Sequence, residues 1–151
     1  MTQPPARTPL AALLPGLLGL LPFWGFALAT VVDTGIDPLL ALMALMMYSA
    51  VILSFVGALW WGMAVHAPPN APRTTMFVWS VVPALVGWGA TLTTPETGLR
   101  ILMAGLAFQW LLDSMLRRKM PELMLGWVFR LRTMLTGGAL SALGFAWWQL
   151  A

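Results

Sequence analysis

Gln109, Asp113 and Arg117 stand four residues apart in one apolar run, and Gly105 precedes them at the same interval. Residues four apart on an α-helix share a face, so amide, carboxylate and guanidinium fall along one slowly winding stripe. An acid four residues before a base is the better orientation for an ion pair within a helix. Arg130 and Arg132 open the next apolar run and reach the same level. Ionisable groups inside a membrane are costly and are, by default, hypotheses of function. Two chemistries are open to this group. One is a clamp, in which Asp113 and an arginine staple two neighbouring helices. The other is a ligand site, in which Gln109, Asp113, Arg117, Arg130 and Arg132, walled by Trp61 and Trp110, hold an anionic lipid head group or a cofactor carboxylate. His66, at the end of the second apolar run, reads as a solvated interfacial residue. Ser54, deeper in that run, is expected to bond back to a carbonyl of its own helix.

The remaining residues offer little to an enzyme. With no cysteine, disulfides, thiolate catalysis and zinc–thiolate sites are excluded. A single histidine argues against ordinary multi-histidine metal sites. No hydrolase, metalloprotease or phosphate-loop signature occurs. The expectation is therefore a protein that is not an enzyme, with no catalytic residue, no metal and no cofactor.

The elements that carry these side chains are membrane spans. The chain is 60% apolar and 9% charged, against roughly 25% charged in a soluble domain, and its mean hydropathy is +0.83. A spanning helix needs roughly 20 mostly apolar residues. Five stretches qualify: Leu10 to Thr30, Pro38 to Val65, Thr75 to Leu92, Gly98 to Leu116 and Val128 to Leu150. Pro15 and Pro22 interrupt the first, and Pro83 the third. Turn-forming residues separate the runs at 33–38, 67–72 and 93–96. The last connection, Arg117 to Trp127, is the longest, and its Pro121–Leu125 piece has the composition of a short interfacial helix. The expected fold is an all-α integral membrane bundle of five transmembrane helices, a single domain over residues 1–151.

Charge sets the orientation. Arg7, Arg73, Arg117, Arg118, Lys119, Arg130 and Arg132 fall on the side of the N-terminus, and only Arg100 on the other. This bias puts the N-terminus in the cytoplasm and the C-terminus in the periplasm of a bacterial inner membrane. It also explains the net charge of +3 without nucleic acid as a partner. Tryptophans cluster towards both boundaries, as interfacial belts do. Arg7, the apolar run and Ala27-Leu28-Ala29 imitate a cleavable signal peptide. The length and prolines of that run favour a retained helix instead.

Small residues at spacing four mark close helix contacts in lipid. Ala50, Ser54, Ala58 and Gly62, with Gly57 beside them, form one such ridge, and Thr133, Gly137 and Ser141 another. They are expected to pack inside the bundle, with homodimerisation as the alternative.

The segment Tyr48-Ser49-Ala50-Val51-Ile52-Leu53-Ser54-Phe55-Val56-Gly57-Ala58-Leu59-Trp60-Trp61-Gly62 resembles the signature helix of a small bacterial membrane family of unknown function, related to the mitochondrial transmembrane protein 69. Phe108-Gln109-Trp110-Leu111-Leu112-Asp113 and Arg130-Leu131-Arg132 fit the same resemblance. Ala58 stands where that family commonly has glycine, and Trp60 where it often has histidine. The resemblance implies a five-helix inner-membrane protein and no activity. The expected role is a non-catalytic accessory or assembly factor of a larger membrane complex, a respiratory one among the candidates. The alternative is binding or transport of a small amphipathic molecule such as a quinone, tetrapyrrole or lipid.

Overall fold

The computed structural model describes residues 7–150, and all of its regular structure is helical. The helices are α1 (Leu10–Leu18), α2 (Leu20–Ala29), α3 (Pro38–His66), α4 (Arg73–Thr91), α5 (Pro95–Lys119) and α6 (Gly126–Trp148). Together α1 and α2 form one broken rod. Pro15 and Pro22 lack the N–H groups that would bond to Ala11 and Leu18, so the rod is weak around Gly19. Tyr48 of α3 reaches across and donates its hydroxyl to the Gly19 carbonyl at 2.8 Å.

Helix starts follow local chemistry. The Asp37 carboxylate accepts the N–H groups of Leu39 (2.9 Å) and Leu40 (3.1 Å), and Pro38 occupies the first turn, where no N–H is needed. Before it, Gly35 takes φ 76°, a left-handed turn conformation suited to a residue without a Cβ. In α5, Pro95 and Glu96 occupy the first turn and Arg117, Arg118 and Lys119 the last, matching both ends of the helix dipole.

Four helical stretches are long and apolar enough to cross a membrane: Leu10–Ala29, Pro38–His66, Arg73–Thr91 and Pro95–Lys119. The fifth expected span exists as a helix, α6, but it is not among them. Arg130 and Arg132, with Thr133, Thr136, Gly137 and Gly138, dilute its apolar character. The short interfacial helix expected at Pro121–Leu125 is absent. Turns occupy that segment, and Arg117 donates to the Met124 carbonyl at 2.9 Å across it. Large exposed apolar side chains stud every helix, among them Leu14, Leu21, Phe55, Leu85, Phe108 and Met134. A surface so uniformly apolar suits hydrocarbon rather than water.

Helices α3 and α4 share the most extensive contact. A methyl group at Gly57 would lie 2.5 Å from Cγ of Pro83, and one at Gly87 would lie 3.0 Å from the Ala50 carbonyl oxygen. Ala50 and Gly57 therefore pack inward, while Ser54, half buried, bonds to the Ala50 carbonyl at 2.8 Å. The other half of the ridge turns away: Ala58 and Gly62 are exposed. On α6 the buried row is Ala139, Ala142, Leu143 and Ala146, whereas Thr133, Gly137 and Ser141 face outward. The α3 set is thus divided between inward and outward positions, whereas the α6 set shares one outward face. The spacing of four did not say which face, because α6 carries a second row of small residues and that row is the one inside.

These contacts separate two superficially similar glycines. Gly57→Ala should destabilise the chain by about 1–3 kcal/mol, because Pro83 is rigid and cannot yield. Gly62→Ala, inside the same helix with open space around it, should leave stability unchanged or raise it by up to about 1 kcal/mol. Thermal unfolding in mild detergent checks both; equal effects would refute the packing described.

Candidate functional site

The inward face of α5 carries Leu106, Gln109, Asp113 and Leu116 in succession. Leu106 belongs to the larger apolar core, built around Phe23, Leu45, Leu53, Leu102 and Leu143. Leu116 belongs to a smaller one with Trp60, Ala64, Met76 and Met124. Gln109 and Asp113 thus form a polar layer between two apolar ones. Both are nearly sealed, at 2% and 1% exposure.

The layer is joined by donors from three neighbouring helices and from α5 itself. Asp113 Oδ2 accepts Arg132 Nη2 of α6 at 2.7 Å. Its Oδ1 accepts the indole N–H of Trp60 of α3 at 2.7 Å and the amide N–H of Gln109 at 3.1 Å. Gln109 in turn accepts the indole N–H of Trp79 of α4 at 2.9 Å. Arg132 Nη2 also donates to the Val56 carbonyl of α3 at 3.1 Å. One chain of hydrogen bonds therefore ties α3, α4, α5 and α6 at one depth. A buried ion pair of this kind is kept in place by its additional hydrogen bonds, because its own Coulomb attraction only roughly offsets desolvation.

The structure brings together Gln109, Asp113 and Arg132, and leaves the other expected site residues elsewhere. Asp113 does not pair with Arg117. At 3.6 residues per turn the inward position after Asp113 falls on Leu116, one residue short of Arg117. Arg117 instead serves the loop, with its guanidinium 5.8 Å from the Phe129 ring centroid. Arg130 is exposed. Trp61 is exposed and sets its edge on Phe77 at 4.8 Å. Trp110 donates to Thr133 Oγ1 at 2.9 Å and stacks on Phe129. Neither wall tryptophan reaches the polar layer. His66 is exposed and sits 3.0 Å from the Gly62 carbonyl.

Two functional residues escaped the sequence reading: Trp60 and Trp79. A general reading of tryptophans as interfacial belts gives neither indole a partner. A signal existed, because a buried indole favours a hydrogen-bond acceptor and Asp113 and Gln109 offer deep ones on the neighbouring α5.

As chemistry, the layer is a clamp. The carboxylate receives three donors and is shielded from solvent, so it has no free face towards a substrate or water. Among the described residues, no three His, Asp or Glu side chains gather to hold a metal. Arg132 borders open space. It lines a cavity of about 150 Å³ against α1, α2 and α3, and a wider crevice of about 450 Å³ under the α5–α6 loop.

Removing one partner of the pair should cost far more than removing both. Asp113→Leu should lower stability by about 3–5 kcal/mol, by leaving the guanidinium buried and unpaired. Asp113→Leu combined with Arg132→Met should recover a large part of that loss. Denaturant unfolding of the single and double variants measures the coupling, and simple additivity would refute the clamp.

No curated protein and no solved structure matches the chain. A family profile does: "Protein of unknown function (DUF3429)" matches residues 8–148, from before α1 to the end of α6. The match covers the kinked first rod, the α3–α4 pair and all members of the polar layer, and the chain belongs to this family.

Proposed function

We propose that the chain is a non-catalytic accessory or assembly protein of a larger membrane complex. One observation carries the reading: the deep polar groups, Gln109, Asp113 and Arg132, bond to one another and to indoles of neighbouring helices, and so hold helices together. What the protein offers its surroundings is then an outer surface. That surface is apolar on every helix and includes small residues, Ala58 and Gly62 on α3 and Gly137 and Ser141 on α6, where another helix can approach closely. A homodimer would use the same surface. The seven-to-one distribution of basic residues supports a bacterial inner membrane, with a cytoplasmic N-terminus and a periplasmic C-terminus. The kinship with the mitochondrial transmembrane protein 69 that the sequence resemblance implies favours an energy-converting, respiratory setting by analogy.

A second reading, binding or transport of a small amphipathic molecule, is favoured by the cavity beside Arg132. A quinone, a tetrapyrrole and a lipid are its candidate cargoes.

The accessory reading is tested by purifying a tagged chain, expressed at its native level, in mild detergent and identifying what accompanies it by mass spectrometry. Stoichiometric recovery with a defined larger complex is expected, together with a fall in that complex's abundance in a deletion strain. A deletion strain with every membrane complex at its normal level would contradict the proposal.

A further inference from the structure

We infer that the cavity between the broken α1–α2 rod, α3 and α6 receives a neutral, ring-sized head group bearing a carbonyl acceptor, on an apolar tail that remains in the bilayer. This is the chemistry of a prenylated quinone. The inference deepens the second reading above and rests on it.

Volume sets the size of the occupant. A dry cavity of about 150 Å³ lined by Leu, Ile and Phe is known to admit benzene, and this one has the same volume and kind of lining, including Leu20, Phe23 and Ile52. A six-membered ring fits. A tetrapyrrole macrocycle does not, and a long chain cannot be swallowed whole. The cavity also has an exit for a tail. Phe55 forms part of the wall and is 60% exposed on the apolar outer surface. The break at Gly19 leaves bare backbone on the opposite wall, where Gly16 and Gly19 contribute no side chain.

Charge sets the kind of head group. Polar lining comes from two α6 side chains, Arg132 and Thr136. Arg132 is 9% exposed and its charge is already balanced by Asp113 at 2.7 Å. A carboxylate or phosphate entering here would put a second buried anion beside one cation and one existing anion, at a heavy desolvation cost. A neutral carbonyl adds no charge. It needs only a donor, and a guanidinium has five. Two of these, on Nη2, go to Asp113 and to the Val56 carbonyl. The remaining three sit on Nε and Nη1, and the Thr136 hydroxyl adds another.

Decylubiquinone serves as the probe and palmitate as its anionic counterpart, each titrated against the purified full chain in mild detergent with tryptophan fluorescence as the readout. Saturable binding of one decylubiquinone per chain is expected, with palmitate weaker. Ile52→Phe, which fills the cavity, should weaken decylubiquinone binding by at least about tenfold. Thr136→Val keeps the side chain's shape and removes its hydroxyl, and should weaken binding by about two- to tenfold. Arg132 is left intact, because replacing it would undo the clamp. Circular dichroism confirms that each variant remains helical, and Thr136→Val keeps the test decisive if Ile52→Phe fails to fold. Tighter binding of palmitate at this site would overturn the neutral head group and leave the amphiphile reading standing. Saturable decylubiquinone binding unchanged in both variants would overturn the site. Absence of saturable binding by either probe would overturn the inference and the second reading together.

Discussion

A carboxylate buried in an apolar bundle must be met from all sides, and meeting Asp113 determines how the helices of this protein stand. Its two oxygens take one donor from α6, one from α3 and one from its own helix, and the Gln109 amide passes the linkage on to α4. Each donor fixes a helix in rotation and in depth at once. A slide of one helix by a single turn, about 5.4 Å, would strand a charge or an indole N–H in a medium that cannot solvate it. Apolar packing alone lacks this property, since lipid competes equally for apolar side chains.

Small residues complement that constraint. Because Gly57 and Gly87 have no side chains, α3 and α4 come close enough for Pro83 and Ala50 to touch backbone. The two helices that deliver Trp60 and Trp79 are thereby held at close range. On α6, the alanine row at 139, 142 and 146 brings that helix against the core, and Arg132 follows two turns earlier on the same face. At the far end, Arg100 pairs with Glu96 and lies 5.2 Å from the Trp147 ring centroid, a further and more exposed tie between α5 and α6. Helices α1 and α2 take no part in the polar layer. Their tie to the bundle is the Tyr48 hydroxyl and apolar contact, and the cavity lies along this less tightly bound rod.

Hydrophobic runs and turn chemistry made the five rods legible in the sequence, to within a few residues at each end. The stripe containing Gln109 and Asp113 was legible too, because spacing on one helix is a property of the sequence. Pairing between helices was not. Arg117 and Arg132 were equally available on paper, and a drift of one residue in the inward face of α5 excluded the former. Trp60 and Trp61 are neighbours whose side chains diverge by about 100° on a helix; one became a donor to Asp113 and the other faces outward. The outward turn of Gly137 and Ser141 has the same origin. A sequence reports periodicity, whereas rotation of each helix about its axis is decided by partners distant in the chain.

The account stands or falls on whether the indole groups of Trp60 and Trp79 are locked into the Asp113 network. Nitrogen-15 labelling of the nine tryptophans, with assignment by Trp60→Phe and Trp79→Phe, gives direct access to their N–H protons. The indole protons of Trp60 and Trp79 should persist long after transfer to heavy water, and both should shift in Asp113→Asn, Trp79 through Gln109. Rapid exchange of both, or a spectrum of Trp60 indifferent to Asp113→Asn, would contradict the polar layer as the element that orders the bundle.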